Sequence, residues 1–206
     1  GKFKVVSQSS IAAGVRRVEA LRDKQLEEYL KSKDKMSSLS SQKNEETIKS
    51  LSSEITKLGG KPIKKSDDLK ITIKELTKQL EEITVKSILS DKKKNTIKDQ
   101  NIKKINIRFQ KVDDLPFKEL RRLVDQGKKD LKEGIVVIYA IKDDKIGLAV
   151  GVTDTLTEKY DAIKFVKSGS EILGGKGGGG RSDFAQAGGV LSNNIDESFE
   201  KIKSLI

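Results

Sequence analysis

Cysteine, histidine and tryptophan are absent from the 206 residues, and aromatic side chains make up only 4% of them. Without cysteine or histidine there is no disulfide, thiolate nucleophile, imidazole base or zinc site of the ordinary type, so Ser-His and Cys-His catalysis are excluded. No catalytic residue and no metal ligand set is expected. Long apolar runs are missing too. The longest, Ile135 to Ile141, is far too short to span a bilayer, and no signal peptide opens the chain. A cytoplasmic chain without membrane attachment is the expectation. An initiator methionine is also lacking, and GKFKVVSQS already reads as a strand, so the sequence is expected to be a piece of something longer.

Charge is what the chain has in quantity. Charged residues (35%) are as common as apolar ones (34%), so the core must be small or the shape elongated. Lysine and arginine outnumber the acids by 42 to 31, a net +11 that suits a polyanionic partner or serves solubility alone.

Periodicity divides the chain. Phe3 and Val5, then Val15 and Val18 around Arg16-Arg17, with Gly14 as the turn, read as a terminal hairpin of a truncated sheet over 1–21. From Arg22 the pattern is helical: Leu26 and Leu30, a serine-rich middle, then Ile48, Leu51, Ile55 and Leu58 at heptad spacing. Gly59-Gly60-Lys61-Pro62 ends that helix, and Leu69, Ile73, Leu76, Leu80 and Ile83 form a second arm capped by Ser66 or Asp67. Two heptad arms joined by a short turn predict an antiparallel coiled-coil hairpin over 22–92. Residues 93–104 are a basic stretch, expected either as a solvated hinge or, with Lys103, Lys104 and Arg108, as a strip facing phosphate.

Residues 105–206 read as a compact α/β domain with a mixed sheet, making the whole chain α+β. Ile105, Ile107 and Phe109 alternate as a half-buried strand, and Phe117, Leu120, Val124 and Leu131 follow at helical spacing behind Pro116. Ile135–Ile141 and Ile146–Val152 form a hairpin around Lys142–Lys145. Leu156, Tyr160 and Ile163 predict a helix capped by Thr153 or Asp154, and a last helix starts near Asp196.

Before that last helix runs GGKGGGGRSDFAQAGG, Gly174 to Gly189. Glycines let successive backbone N–H groups converge on one anion, and Lys176 and Arg181 add charge, so Lys176, Gly177, Gly178, Gly179, Gly180 and Arg181 are candidate phosphate contacts. No Lys-Ser/Thr follows at Walker spacing, and no strand-to-helix dinucleotide fingerprint is present. Two bland readings stand beside this one: a flexible loop, and a packing device in which Ala185, Ala187, Gly188 and Gly189 let the backbone pass close beneath a helix.

This run resembles the glycine-rich motif of the DHH-associated domain at the C-terminus of alanyl-tRNA synthetases. VSQSSIAAGVRRVEAL resembles the last strands of their editing domain, and the two motifs stand in the family's order around a helical hairpin. Lys176 replaces a usual glycine, Ser182 a usual proline and Gln8 a common acid. The resemblance implies a part of an alanine–tRNA ligase without its catalytic centre: ATP, magnesium and zinc belong to absent upstream domains, and no cofactor belongs here. The partner it implies is alanine-accepting tRNA, docked by its outer corner to support aminoacylation and editing. A homodimer through the hairpin or the C-terminal domain is also open, as is a purely structural dimerisation module. A phosphodiesterase, whose family carries a related terminal domain, predicts an upstream motif rich in aspartate and histidine.

Overall fold

The computed structural model describes all residues 1–206, which form two compact units, 1–83 and 84–206. In the first, β1 (Phe3–Ala12) and β2 (Val15–Arg22) form an antiparallel hairpin that turns at Gly14, whose φ of 79° suits a residue without Cβ. Its apolar side chains Phe3, Val5, Ile11, Val15 and Val18 are exposed. Helix α1 (Asp23–Lys57) then runs unbroken through the serine-rich stretch, for roughly 50 Å at the usual rise per residue.

At the end of α1, the Gly60 N–H donates to Ile55 O (2.9 Å) and the Gly59 N–H to Thr56 O (3.0 Å). This is a Schellman closure, with Gly59 at φ 80°. The chain does not reverse there into an antiparallel partner. Gly60 lies against Ile55 and Ile83, Lys61 O and the Ile63 N–H bond the Gln79 amide, Lys65 pairs with Glu45 at 2.9 Å, and Asp67–Lys70 line one cavity with Ser37–Asn44. Residues 60–68 therefore return along α1 as an extended segment. Helix α2 (Leu69–Ser90) starts beside the middle of α1 and runs parallel to it. Nine extended residues cover about 30 Å, the rise of about 20 helical residues, enough to carry the chain back to Ser41. The heptads do form a seam, with Ile55 and Leu76 fully buried, but a heptad pattern is the same for both directions of pairing. Asp68, not Ser66 or Asp67, caps α2, its Oδ1 accepting from the Lys70 N–H at 2.8 Å.

The second unit is built on a six-stranded mixed sheet, ordered β3-β4-β5-β6-β8-β7. The strands are β3 (Asn95–Ile102), β4 (Ile105–Asp113), β5 (Ile135–Lys142), β6 (Lys145–Val152), β7 (Gly178–Gly180) and β8 (Phe184–Gly189). Only β4 and β5 run parallel, linked by α3 (Leu120–Leu131), as a crossover requires. Alternation along the strands makes two cores. Phe109, Tyr139, Leu148 and Val150 meet Phe165 and Phe199 of α4 (Ala162–Ile172) and α5 (Ile195–Lys203). On the other face Val112, Val136 and Ile138 meet Leu123 and Val124 of α3 with Val85 and Ile88 from the end of α2. Residues on β5 and β6 are buried on both faces, which explains their continuous apolar runs.

Three further segments differ from expectation. The basic stretch 93–104 is an edge strand, β3, paired along its length with β4 through a tight turn at Lys103-Lys104. Both lysines have positive φ, 48° and 72°. The helix expected from Thr153 is first a short 3-10 turn at Asp154–Leu156; α4 begins only at Ala162, capped by Asp161, whose Oδ1 accepts from the Ile163 N–H at 2.9 Å. The glycine run, expected as a loop, supplies the last two strands. No helix is long and apolar enough to cross a membrane.

Candidate nucleic-acid interface

Strand β7 is made of three glycines and lies at the open edge of the sheet. Arg181 and Phe184 exchange backbone hydrogen bonds (2.7 and 3.2 Å) across the turn that joins β7 to β8. Antiparallel pairing alternates, so Gly179 and Gln186 form the next bonded pair, and the N–H and C=O groups of Gly178 and Gly180 point outward. Two donors and two acceptors thus stand on an edge with no side chain to shield them.

Packing and openness coexist in this run. A Cβ on Gly178 would lie 2.5 Å from Ala187 Cβ and 2.7 Å from Val166 of α4, and one on Gly180 would lie 2.5 Å from Ala185 Cα. One on Gly179 would meet nothing within 4 Å. The close-packing role therefore reaches back into the glycines themselves, while Gly179 leaves the surface accessible.

Lys176 is exposed between Gly175 and Gly177. Arg181 is also exposed, with a side chain 68% accessible, and it grips Asp183 through Nε and Nη2 at 3.0 and 3.2 Å. That hydrogen-bonded pair holds the Asp183 carboxyl below the usual carboxylate range. A phosphate reaching Arg181 must share it with this carboxylate.

The other sequence candidates lie elsewhere. Lys103 and Lys104 are exposed at the β3–β4 turn, four strand spacings from β7 when counted from β4, or about 19 Å. Arg108 does not face a ligand. Its side chain is only 12% accessible and clamps Asp99 (2.8 Å twice) and Asp130 (2.6 Å), fastening β3, β4 and α3 together. Hydrogen bonding to Arg108 pulls both carboxyls below their usual range. With its donors committed to two acids, Arg108 leaves the set of phosphate contacts.

Sequence reasoning missed a trough beside the glycine edge. On that face α3 packs over β4, β5 and β6, and reaches β8 at Phe184, which is buried in the same core. Phe117 and Leu120 form one wall, and Gly147, Gly177, Gly178, Gln186 and Gly188 form the floor of a 340 Å³ cavity. An adjoining 350 Å³ hollow is bordered by Lys145 and Lys176. The available signal was the glycine at 147 inside an apolar strand, where a missing side chain marks close approach. No group of three or more acidic side chains is placed to hold a metal ion.

Comparison with known proteins agrees with this architecture. The DHHA1 domain matches residues 104–206. The alanine–tRNA ligase of Parvibaculum lavamentivorans is 33% identical over 99% of the chain, and that of Carboxydothermus hydrogenoformans is 33% identical over all of it. The chain spans 22% of the length of each of these relatives. The C-Ala domain from Aquifex aeolicus alanyl-tRNA synthetase superposes with a TM-score of 0.50 at 30% identity, covering 52% of this chain and 96% of that one. On the match over its last hundred residues, and with kinship to alanine–tRNA ligases along its whole length, the chain belongs to the DHHA1 domain family.

Proposed function

We propose that this chain docks a folded, alanine-accepting tRNA in the cytoplasm, as part of a longer alanine–tRNA ligase whose other domains carry out aminoacylation and editing. The observation that carries the reading is the side-chain-free edge β7, flanked by exposed Lys176 and Arg181. Outward N–H groups of Gly178 and Gly180 can bond phosphate oxygens, their carbonyls can accept from ribose hydroxyls, and the two cations add attraction. Contacts of this kind read shape and backbone and leave sequence unread. Lys103 and Lys104 join in only where the RNA crosses the width of the sheet. The reading assigns these residues no catalytic step and no cofactor.

Filter binding of the chain to folded tRNA across a salt series tests this. The logarithm of the wild-type binding constant should fall linearly with log salt, and Lys176→Ala/Arg181→Ala should flatten the slope by about 1.5, the yield of two phosphate contacts. Binding without a salt slope, or no binding at low salt, would sink the proposal. Asp183→Asn should release Arg181 and strengthen binding.

A self-association reading is favoured by Met36 and Leu39, which are 72% and 47% accessible on α1. Sedimentation with and without tRNA separates the two: self-association alone leaves tRNA unbound.

A further inference from the structure

The trough does not end at the glycines. On α3, Arg121 and Lys128 fall within roughly 20° of one another around the helix axis, on one flank of the helix, and Lys132 follows directly after its last turn. That flank borders β6 and β8. The Arg121 guanidinium lies 4.9 Å over the ring of Phe184 on β8, and the Lys128 stem packs against Gly151 of β6. At its far end Lys128, Lys129 and Lys132 line a 390 Å³ cavity with Thr153, Asp154 and Thr155. At its near end are Lys145 and Lys176.

We propose that this flank of α3 is a track for an RNA backbone, continuing the glycine-edge contact from Lys176 to Lys132. The inference rests on the docking reading above and extends it to a surface that neither the glycine motif nor its flanking cations include. From Phe117 to Lys132 the wall is about 22 Å long, room for several consecutive phosphates. The occupant follows from charge: Arg121, Lys128 and Lys132 stand along the wall with Lys145 and Lys176 at its near end, against Asp125 on the same flank, Asp154 4.0 Å from Lys128, and Asp183, whose carboxylate the Lys128 charge also reaches. Lysines in the last turn of a helix also offset its dipole, but that role leaves RNA binding untouched.

Lys132 offers a substitution that removes its charge without a loss of stability. It ends α3 at φ 62° and ψ −51°, where glycine fits with less strain.

The test is the same salt titration of the full chain against folded tRNA. Lys128→Gln keeps most of the stem that packs on Gly151, and Lys132→Gly relieves the backbone. The double variant should unfold no earlier than wild type. It should nevertheless bind tRNA at least about tenfold more weakly near 0.1 M salt, with a slope smaller by about 1.5. Asp125→Asn should tighten binding two- to threefold, by removing the repulsion of one like charge. Should the double variant bind with wild-type slope while Lys176→Ala/Arg181→Ala weakens, the track is refuted and the docking reading survives. Failure of wild type to bind refutes both.

Discussion

Alanine substituted singly at Gly178, Gly179 and Gly180 should have three different effects, although the residues are consecutive and chemically identical. At Gly178 the new methyl would crowd the Gln186 carbonyl oxygen as well as Ala187 and Val166, an overpacking that costs about 1–3 kcal/mol. At Gly180 the clash is with the Ala185 Cα of the paired strand, and the φ of 154° adds backbone strain. Its total should be about 2–4 kcal/mol. At Gly179 the methyl meets open space, and the loss of unfolded-chain freedom should stabilise by about 0.4–1 kcal/mol. Urea unfolding followed by circular dichroism reads the order directly, provided the m-values agree. Equal losses at all three positions, or tolerance at Gly180, would refute the edge-strand geometry and with it the outward N–H groups.

At the β3–β4 turn, Lys103→Asn/Lys104→Gly should raise stability by about 1–2 kcal/mol in the same unfolding assay, because both positions have positive φ and this pair suits a type I′ turn. Acid should weaken the second unit through Asp99 and Asp130. Their folded carboxyls titrate below the usual range, so the stabilisation present above about pH 4 is lost as pH falls through the folded values. Arg108→Met should cost about 2 kcal/mol at neutral pH, less than a fully buried pair because both acids are more than 40% accessible, and should flatten the acid limb of a urea-midpoint profile. Parallel helices predict that Ser41→Cys/Lys70→Cys joins through a short bismaleimide in this cysteine-free chain, whereas Leu58→Cys/Lys70→Cys does not. The opposite yield on denaturing gels would restore an antiparallel hairpin.

Much of the second unit was legible because burial there is two-sided. The run Ile135–Ile141 and its Lys142–Lys145 turn could only be a central hairpin, and Phe117, Leu120 and Val124 mark the face of α3. The heptads announced that Ile55 and Leu76 would be buried. Direction was not written in them; it depends on whether 60–68 turns or travels. Strand β3 was hidden because an edge strand is wetted: Lys98, Asp99 and Gln100 are exposed, and its pairing partner supplies the order. Glycine has little strand propensity of its own, so β7 exists only because β8, carrying Phe184 and Ala185, offers it an edge. Arg108 was misread since its second acid, Asp130, lies 22 residues away and meets it only through the crossover.

The central claim is that the glycine edge and its cations recognise the shape of a folded tRNA. Competition measures it most directly: folded alanine-accepting tRNA and an unstructured RNA of equal length contend for the chain at about 0.15 M salt, where long-range attraction is screened. Recognition of shape predicts that folded tRNA displaces the unstructured RNA with about tenfold or greater preference, and that Lys176→Ala/Arg181→Ala erodes it. Equal competition by the two RNAs would reduce the surface to a non-specific cation patch and contradict the account.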